Sequence, residues 1–205
     1  MRSVTCRCEK AFDADLPDEI DLDAEPRLID QILSGDFFAV TCPNCGSRLK
    51  PELRVRILSR KRSLDLTVIP ELERMSYYRG TVEIPKGGQV LIGYDELYER
   101  ARILRDNIDP EAVEIIKYWL AAKAAEQAPE AEIVIAYAGF KDGKLTFHVS
   151  GLREGEIAVL PVDEALYKKT LAEKARSMRS DPFDRIFAGA YKSIRALEAE
   201  PEATE

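Results

Sequence analysis

Cys42-Pro43-Asn44-Cys45-Gly46 decides how the first part of this chain folds. Two residues between the cysteines let the backbone curl around an ion, Pro43 stiffens the curl, and Gly46 accepts the unusual dihedrals at its exit. N–H groups inside such a turn can point at sulfur and offset its charge. The remaining cysteines, Cys6 and Cys8, flank Arg7 near the amino end. Residues two apart on an extended chain face the same way, so both sulfurs can reach one metal. A zinc tetrathiolate places each sulfur about 2.3 Å from the metal and neighbouring sulfurs about 3.8 Å apart. Cys6, Cys8, Cys42 and Cys45 are therefore predicted to hold one structural zinc ion, with no catalytic residue among them.

Three rival readings use the same residues. Iron would accept the four sulfurs too, and spacing does not separate the metals, although no aromatic cluster lies close to the ligands. A thiol redox protein can also show Cys-Pro-x-Cys, but its pair opens a helix, whereas here Gly46 and Pro51 lead into β-formers. Inert thiols are the bland alternative. Four cysteines in two close pairs, with none elsewhere, argue against it.

Outward from the cysteines, residues 3–8 form a strand-like run, followed by an acidic stretch from Asp13 to Glu25 that reads as a solvated face. It lacks the central glycine and terminal glutamate of a calcium loop. Leu28, Ile29, Ile32 and Leu33 fall at helical spacing between Pro26 and Gly35. Phe37, Phe38 and Val40 read as a strand delivering Cys42. Residues 53–58 and 64–69 are two β-rich runs joined as a hairpin. The glycine- and proline-bearing stretch 77–88 reads as a domain boundary. A helix over 95–105 precedes one starting at Pro110 with Asp109 as its cap. Lys141-Asp142-Gly143 marks a hairpin between 133–137 and 144–149, and 156–160 adds a third strand. Helices over 163–178 and 182–199 come next, the last with an apolar stripe from Phe183 to Leu197.

A chain of 205 residues, 45% hydrophobic, can bury a core without disulfides. No run resembles a signal peptide or a membrane span, so a soluble, cytoplasmic protein with reduced thiols is expected and no membrane partner. The net charge of −7 argues against a surface that coats nucleic acid throughout. A local basic stretch does occur: Arg48, Lys50, Arg54, Arg56, Arg60, Lys61 and Arg62 crowd onto the hairpin after the second cysteine pair. No aromatic residue is interleaved for base stacking, and the acidic residues 13–25 lie in the same module, so packing against acidic protein is the preferred reading. His148 alternates with Leu145, Phe147 and Val149 and is expected on the exposed face of its strand. Gly87-Gly88 is too short to cradle a phosphate, and no nucleotide-binding or nucleophile-elbow motif occurs. Trp119 and the last stripe read as core or interface.

The runs Val4-Thr5-Cys6-Arg7-Cys8, Gly35-Asp36-Phe37 and Thr41-Cys42-Pro43-Asn44-Cys45-Gly46 resemble the bacterial and archaeal CpXC domain family. Leu91-Ile92-Gly93-Tyr94-Asp95-Glu96-Leu97 and the run from Ile108 to Lys117 resemble the region beyond the cysteine module in longer members, so the similarity spans about residues 1–125. The resemblance implies a metal site and supplies no activity. One departure is that Cys8 is succeeded by Glu9 instead of a knuckle glycine.

The expected architecture is α+β: a zinc-ribbon-like antiparallel β module with an inserted helix over 1–72, a connecting helical segment over 73–130, a three-stranded sheet with two helices over 131–199, and an acidic tail over 200–205. The expected role is a zinc-stabilised, non-catalytic interaction or regulatory module whose partner is another protein. A nucleic-acid-binding ribbon using Arg54, Arg56, Arg60 and Lys61 on the 48–62 hairpin is the alternative, and a thiol redox protein the second.

Overall fold

The computed structural model describes residues 1–199 and shows an α+β chain of two compact units, Met1–Ala101 and Arg102–Glu205.

In the first unit, β1 (Arg2–Thr5) and β2 (Ala11–Ala14) form an antiparallel hairpin, and β3 (Glu19–Asp21) comes after it. The helix α1 (Leu28–Ser34) buries Leu28 and Ile32 and stops at Gly35, whose φ of 74° ends the helical hydrogen-bonding. A second antiparallel pair, β4 (Val40–Thr41) with β5 (Arg48–Leu49), encloses the second cysteine pair. Then β6 (Val55–Ser59) and β7 (Leu64–Ile69) form the expected hairpin. They are the centre of a four-stranded sheet in the order β3-β6-β7-β8, with β8 being Gln89–Ile92. The outer pairings, β3 with β6 and β7 with β8, are parallel. Val55, Ile57, Leu66, Val68 and Ile69 are buried there, and β7, paired on both sides, buries every residue from Leu66 to Ile69 without alternation.

Three features of the first unit differ from the sequence expectation. The acidic stretch is not only a solvated face: Ala14, Leu16, Ile20 and Leu22 are buried between its exposed acids, and β3 within it joins the main sheet. Phe37 and Phe38 are buried and stacked 4.2 Å apart but lie in a turn, because Phe38 takes φ 53° and the Ala39 N–H donates to the Asp36 carbonyl. The segment after residue 72 is not a separate connector: a short helix α2 (Arg74–Tyr78) leads to β8, which completes the first unit's sheet. Glu52 secures this junction by accepting the N–H groups of Glu71 at 2.8 Å and Tyr94 at 2.6 Å. The helix α3 (Gly93–Arg105) begins directly after β8.

The second unit is built on α4 (Pro110–Gln127), capped as expected by Asp109, whose Oδ1 accepts the Ala112 N–H at 2.8 Å. Strands β9 (Val134–Lys141), β10 (Lys144–Ser150) and β11 (Ile157–Asp163) form an antiparallel meander, with Asp142-Gly143 at the first turn. Leu145, Phe147 and Val149 are buried against Val113, Ile116 and Tyr137, while His148 faces outward. The helix α5 (Glu164–Ser177) adds Tyr167, whose hydroxyl accepts the Asp109 N–H at 3.0 Å.

The last apolar stripe does not form one helix. Phe183, Ile186 and Phe187 pack on Ile115, yet only α6 (Phe183–Ile186) and a 3-10 turn at Ile194–Ala199 are helical. Gly189 weakens the intervening segment, and α4 captures the chain beyond it. Glu111 binds Lys192 Nζ at 2.7 Å, and Glu114, buried with Lys117, accepts the Ile194 N–H at 2.9 Å. The 200–205 tail lies outside the described residues.

Asp106 braces the start of this unit. Its Oδ2 accepts the Tyr137 hydroxyl at 2.8 Å and the Phe140 N–H at 3.2 Å, beside the Arg105 guanidinium. Burial pushes its carboxyl up, but hydrogen bonds from Arg105 and Tyr137 and the Arg105 charge outweigh that and hold it below the ordinary value. With the folded pKa depressed, its stabilisation is present above the unfolded pKa, about 3.9, and is lost as pH falls through the folded value. Asp106→Asn should cost the second unit about 2 kcal/mol at neutral pH and less in acid. Urea unfolding monitored by fluorescence of Trp119, the sole tryptophan, at pH 7 and pH 3 checks this; an equal loss at both values would contradict it.

Candidate metal centre

The two antiparallel hairpins bring the cysteines together. Cys6 and Cys8 leave the end of β1, and Cys42 and Cys45 sit on the turn between β4 and β5. All four Sγ atoms lie within 4.8 Å of one another. The close pairs cross between hairpins: Cys6 to Cys45 is 3.6 Å and Cys8 to Cys42 is 3.7 Å. These separations are far longer than a disulfide bond and close to the edge expected of a tetrathiolate tetrahedron, about 3.8 Å. Cys6 and Cys42 are buried, while Cys8 and Cys45 are exposed.

Each hairpin closes around its sulfurs in the same way. The Cys6 N–H donates to the Lys10 carbonyl and the Cys42 N–H to the Ser47 carbonyl, both at 2.9 Å. The residue after the second cysteine is left-handed in each: Gly46 at φ 73° and Glu9 at φ 65°. Glu9 thus takes the knuckle conformation that its sequence lacked a glycine to signal.

Backbone and side-chain donors surround the sulfurs. The Ser47 hydroxyl lies 3.2 Å from Cys45 Sγ, and with the Ser47 N–H it lowers that thiol to about 6. The Asn44 amide donates to Cys8 Sγ at 3.6 Å and, together with the Lys10 N–H, lowers the Cys8 thiol. The Cys8 N–H acts to lower Cys6, but burial and the neighbouring thiols outweigh it and raise that thiol to about 12. A bound cation would favour all four thiolates. Asn44 and Ser47 are neighbours of the sulfurs that cysteine spacing alone does not mark. The signal available is position: a donor inside the spacer, and a residue two beyond the second cysteine of a pair, as Lys10 and Ser47 both are.

The basic residues are largely committed within the chain. Arg56 binds Asp65 at 2.8 Å and Glu19 at 3.1 Å, and Arg54 binds Glu73 at 2.7 Å. The Arg56 hydrogen bond and charge hold Asp65 below the usual carboxylate range. Arg60 and Lys61 have exposed side chains, and their N–H groups are received by Asp23 at 2.9 and 3.1 Å. Asp23 also accepts the Ser59 hydroxyl at 2.6 Å, the first of the contacts that lower its pKa. The basic turn is therefore folded onto the acidic stretch.

A left-handed residue other than glycine carries a conformational cost of about 1–2 kcal/mol, partly offset by the greater freedom glycine would have when unfolded. Glu9→Gly should therefore stabilise the first hairpin by about 0.5 kcal/mol and slow metal loss to a chelator. Chelator competition read with a chromogenic metal indicator checks this directly, and faster loss in the variant would show that Glu9 is not strained.

Comparison with known proteins places this geometry in context. An uncharacterized protein of Treponema pallidum (strain Nichols) is 27% identical over 216 residues, covering 95% of this chain and 97% of that relative. No solved structure matches. The CpXC protein family matches residues 4–117, from β1 before the first cysteine pair into α4. That match takes in both cysteine hairpins and more than half of the 205 residues, so the chain belongs to the CpXC family.

Proposed function

We propose that Cys6, Cys8, Cys42 and Cys45 hold one zinc ion and that the protein is a zinc-stabilised, non-catalytic interaction module working in the reducing cytoplasm. The observation that carries this reading is the convergence of four sulfurs within 4.8 Å, each hairpin supplying two. Four thiolates complete a tetrahedral shell, which leaves no position for water or substrate and suits a structural ion. The thiol redox alternative is disfavoured because the Cys42–Cys45 pair lies on a strand-to-strand turn, with neither cysteine at a helix start.

Metal analysis of protein produced without added iron tests the first half. One zinc per chain, and a colourless protein, is the expected result. Iron with visible charge-transfer absorption, or no metal, would overturn it.

A protein partner is favoured over nucleic acid because Arg54 and Arg56 are already paired with Glu73, Asp65 and Glu19. Their phosphate contacts would have to displace those carboxylates on a chain of net charge −7. The wild-type protein should show no measurable affinity for single- or double-stranded DNA or RNA at physiological salt. Micromolar binding that falls steeply with salt, and is lost when Arg54, Arg56, Arg60 and Lys61 are replaced by glutamine, would make the nucleic-acid reading the correct one.

A further inference from the structure

An open cleft of about 550 Å³ lies where the two cysteine hairpins meet, lined by Val4, Thr5 and Arg7 from the first and by Arg48, Leu49 and Lys50 from the second. Each wall is a strand paired on one side only, β1 with β2 and β5 with β4. The hydrogen bond from the Cys6 N–H to Lys10 sets the alternation of the first ladder, so Thr5, opposite Ala11, is a residue whose N–H and C=O face away from β2. By the same alternation, the Cys42 to Ser47 hydrogen bond turns the N–H and C=O of Arg48, opposite Thr41, away from β4. Among the described residues neither Thr5 nor Arg48 has a backbone hydrogen bond outside its own hairpin.

The charge of the cleft is opposite to that of the chain. Arg7, Arg48 and Lys50 line it and no aspartate or glutamate does, although the net charge is −7. Asp36, outside the lining, is bound by Arg48, and Arg7 has no ion pair among the described residues. Between the cations, Val4 is buried and Leu49 half-buried, so part of the floor is apolar. Free strand edges, a partly apolar floor and cationic walls together match an extended peptide that alternates apolar and acidic side chains. A nucleic acid strand would meet the cations but no aromatic ring on which a base could stack.

We propose that this cleft binds an extended acidic segment of a partner protein, whose main chain adds to the free edge of β1 or β5 and whose carboxylates face Arg7, Arg48 and Lys50. The inference rests on the reading of the protein as a zinc-stabilised interaction module, and it names the chemistry of the partner. The probe is a short capped peptide of alternating glutamate and valine, labelled with fluorescein and titrated into the zinc-loaded full chain at moderate salt. A peptide with lysine in place of glutamate and an oligodeoxythymidine are run beside it.

Saturable binding of the glutamate peptide is expected, with no binding of the lysine peptide, and the amide resonances of Thr5 and Arg48 should shift on titration. Combining Arg7→Gln with Lys50→Gln, both exposed positions, should weaken binding about tenfold, and Lys50→Gln alone about threefold. Absence of saturable binding, equal affinity in the double variant, or tighter binding of oligodeoxythymidine at the same amides would overturn the proposal. Metal content measured in the same samples separates the two readings. A folded, zinc-loaded protein that ignores the acidic peptide loses the cleft and keeps the module, whereas a protein without zinc loses the reading beneath both.

Discussion

Strands of four residues in β1 and β2, and of two in β4 and β5, are too short to stand alone, because an isolated two-stranded hairpin is marginal in water even when longer. What joins them is the meeting of their sulfurs, at 3.6 Å for Cys6 with Cys45 and 3.7 Å for Cys8 with Cys42. Four sulfurs at that spacing could hold a metal ion, whose charge would favour their thiolate forms. The local structure suits such an ion. Glu9 accepts a left-handed backbone, the peptide N–H groups turn toward sulfur, and Asn44 and Ser47 add donors at the exposed side of the cluster.

Part of the charge elsewhere in the first unit is neutralised within the chain. The acidic stretch and the basic hairpin face each other through Asp23 and the backbone of Arg60 and Lys61, and through Glu19 and Arg56. Exposed pairs of this kind contribute little to stability individually, about 0–1 kcal/mol, but they orient the hairpin and lower its appetite for phosphate. The cations beside the cysteine cluster are arranged differently, around a cleft without a carboxylate lining.

In the second unit the organising groups are carboxylates on or just before α4. Asp109 caps the helix, and Glu111 and Glu114 reach 81 and 80 residues along the chain to Lys192 and the Ile194 N–H. Because Glu114 is buried with Lys117, its carboxylate needs those partners, and a backbone N–H held by it cannot also continue a helix. The carboxy-terminal stripe consequently stays apolar and buried at Phe183, Ile186, Phe187 and Tyr191 while its backbone turns.

Local chemistry made much of this protein legible without coordinates. Cysteine spacing pointed to the four residues whose sulfurs converge, the Asp109-Pro110 start marked α4, and Asp142-Gly143 located the β9–β10 turn. Each of these signals resides in a few adjacent residues whose conformational needs are satisfied locally. Long-range pairing was not legible. Strand β3 is hidden among acids because it buries only Ile20, and its parallel partner β6 lies more than thirty residues away. Likewise β8 joins β7 across a helix and a glycine-rich stretch that looked like a boundary. The break in the last stripe depends on Glu111 and Glu114, and the knuckle at Glu9 on closure of the β1–β2 hairpin. Sequence thus determined which residues could bind, cap and turn. Only tertiary structure decided which distant strands would share a sheet, because those choices are made by burial and hydrogen bonds between segments with no local mark of their partner.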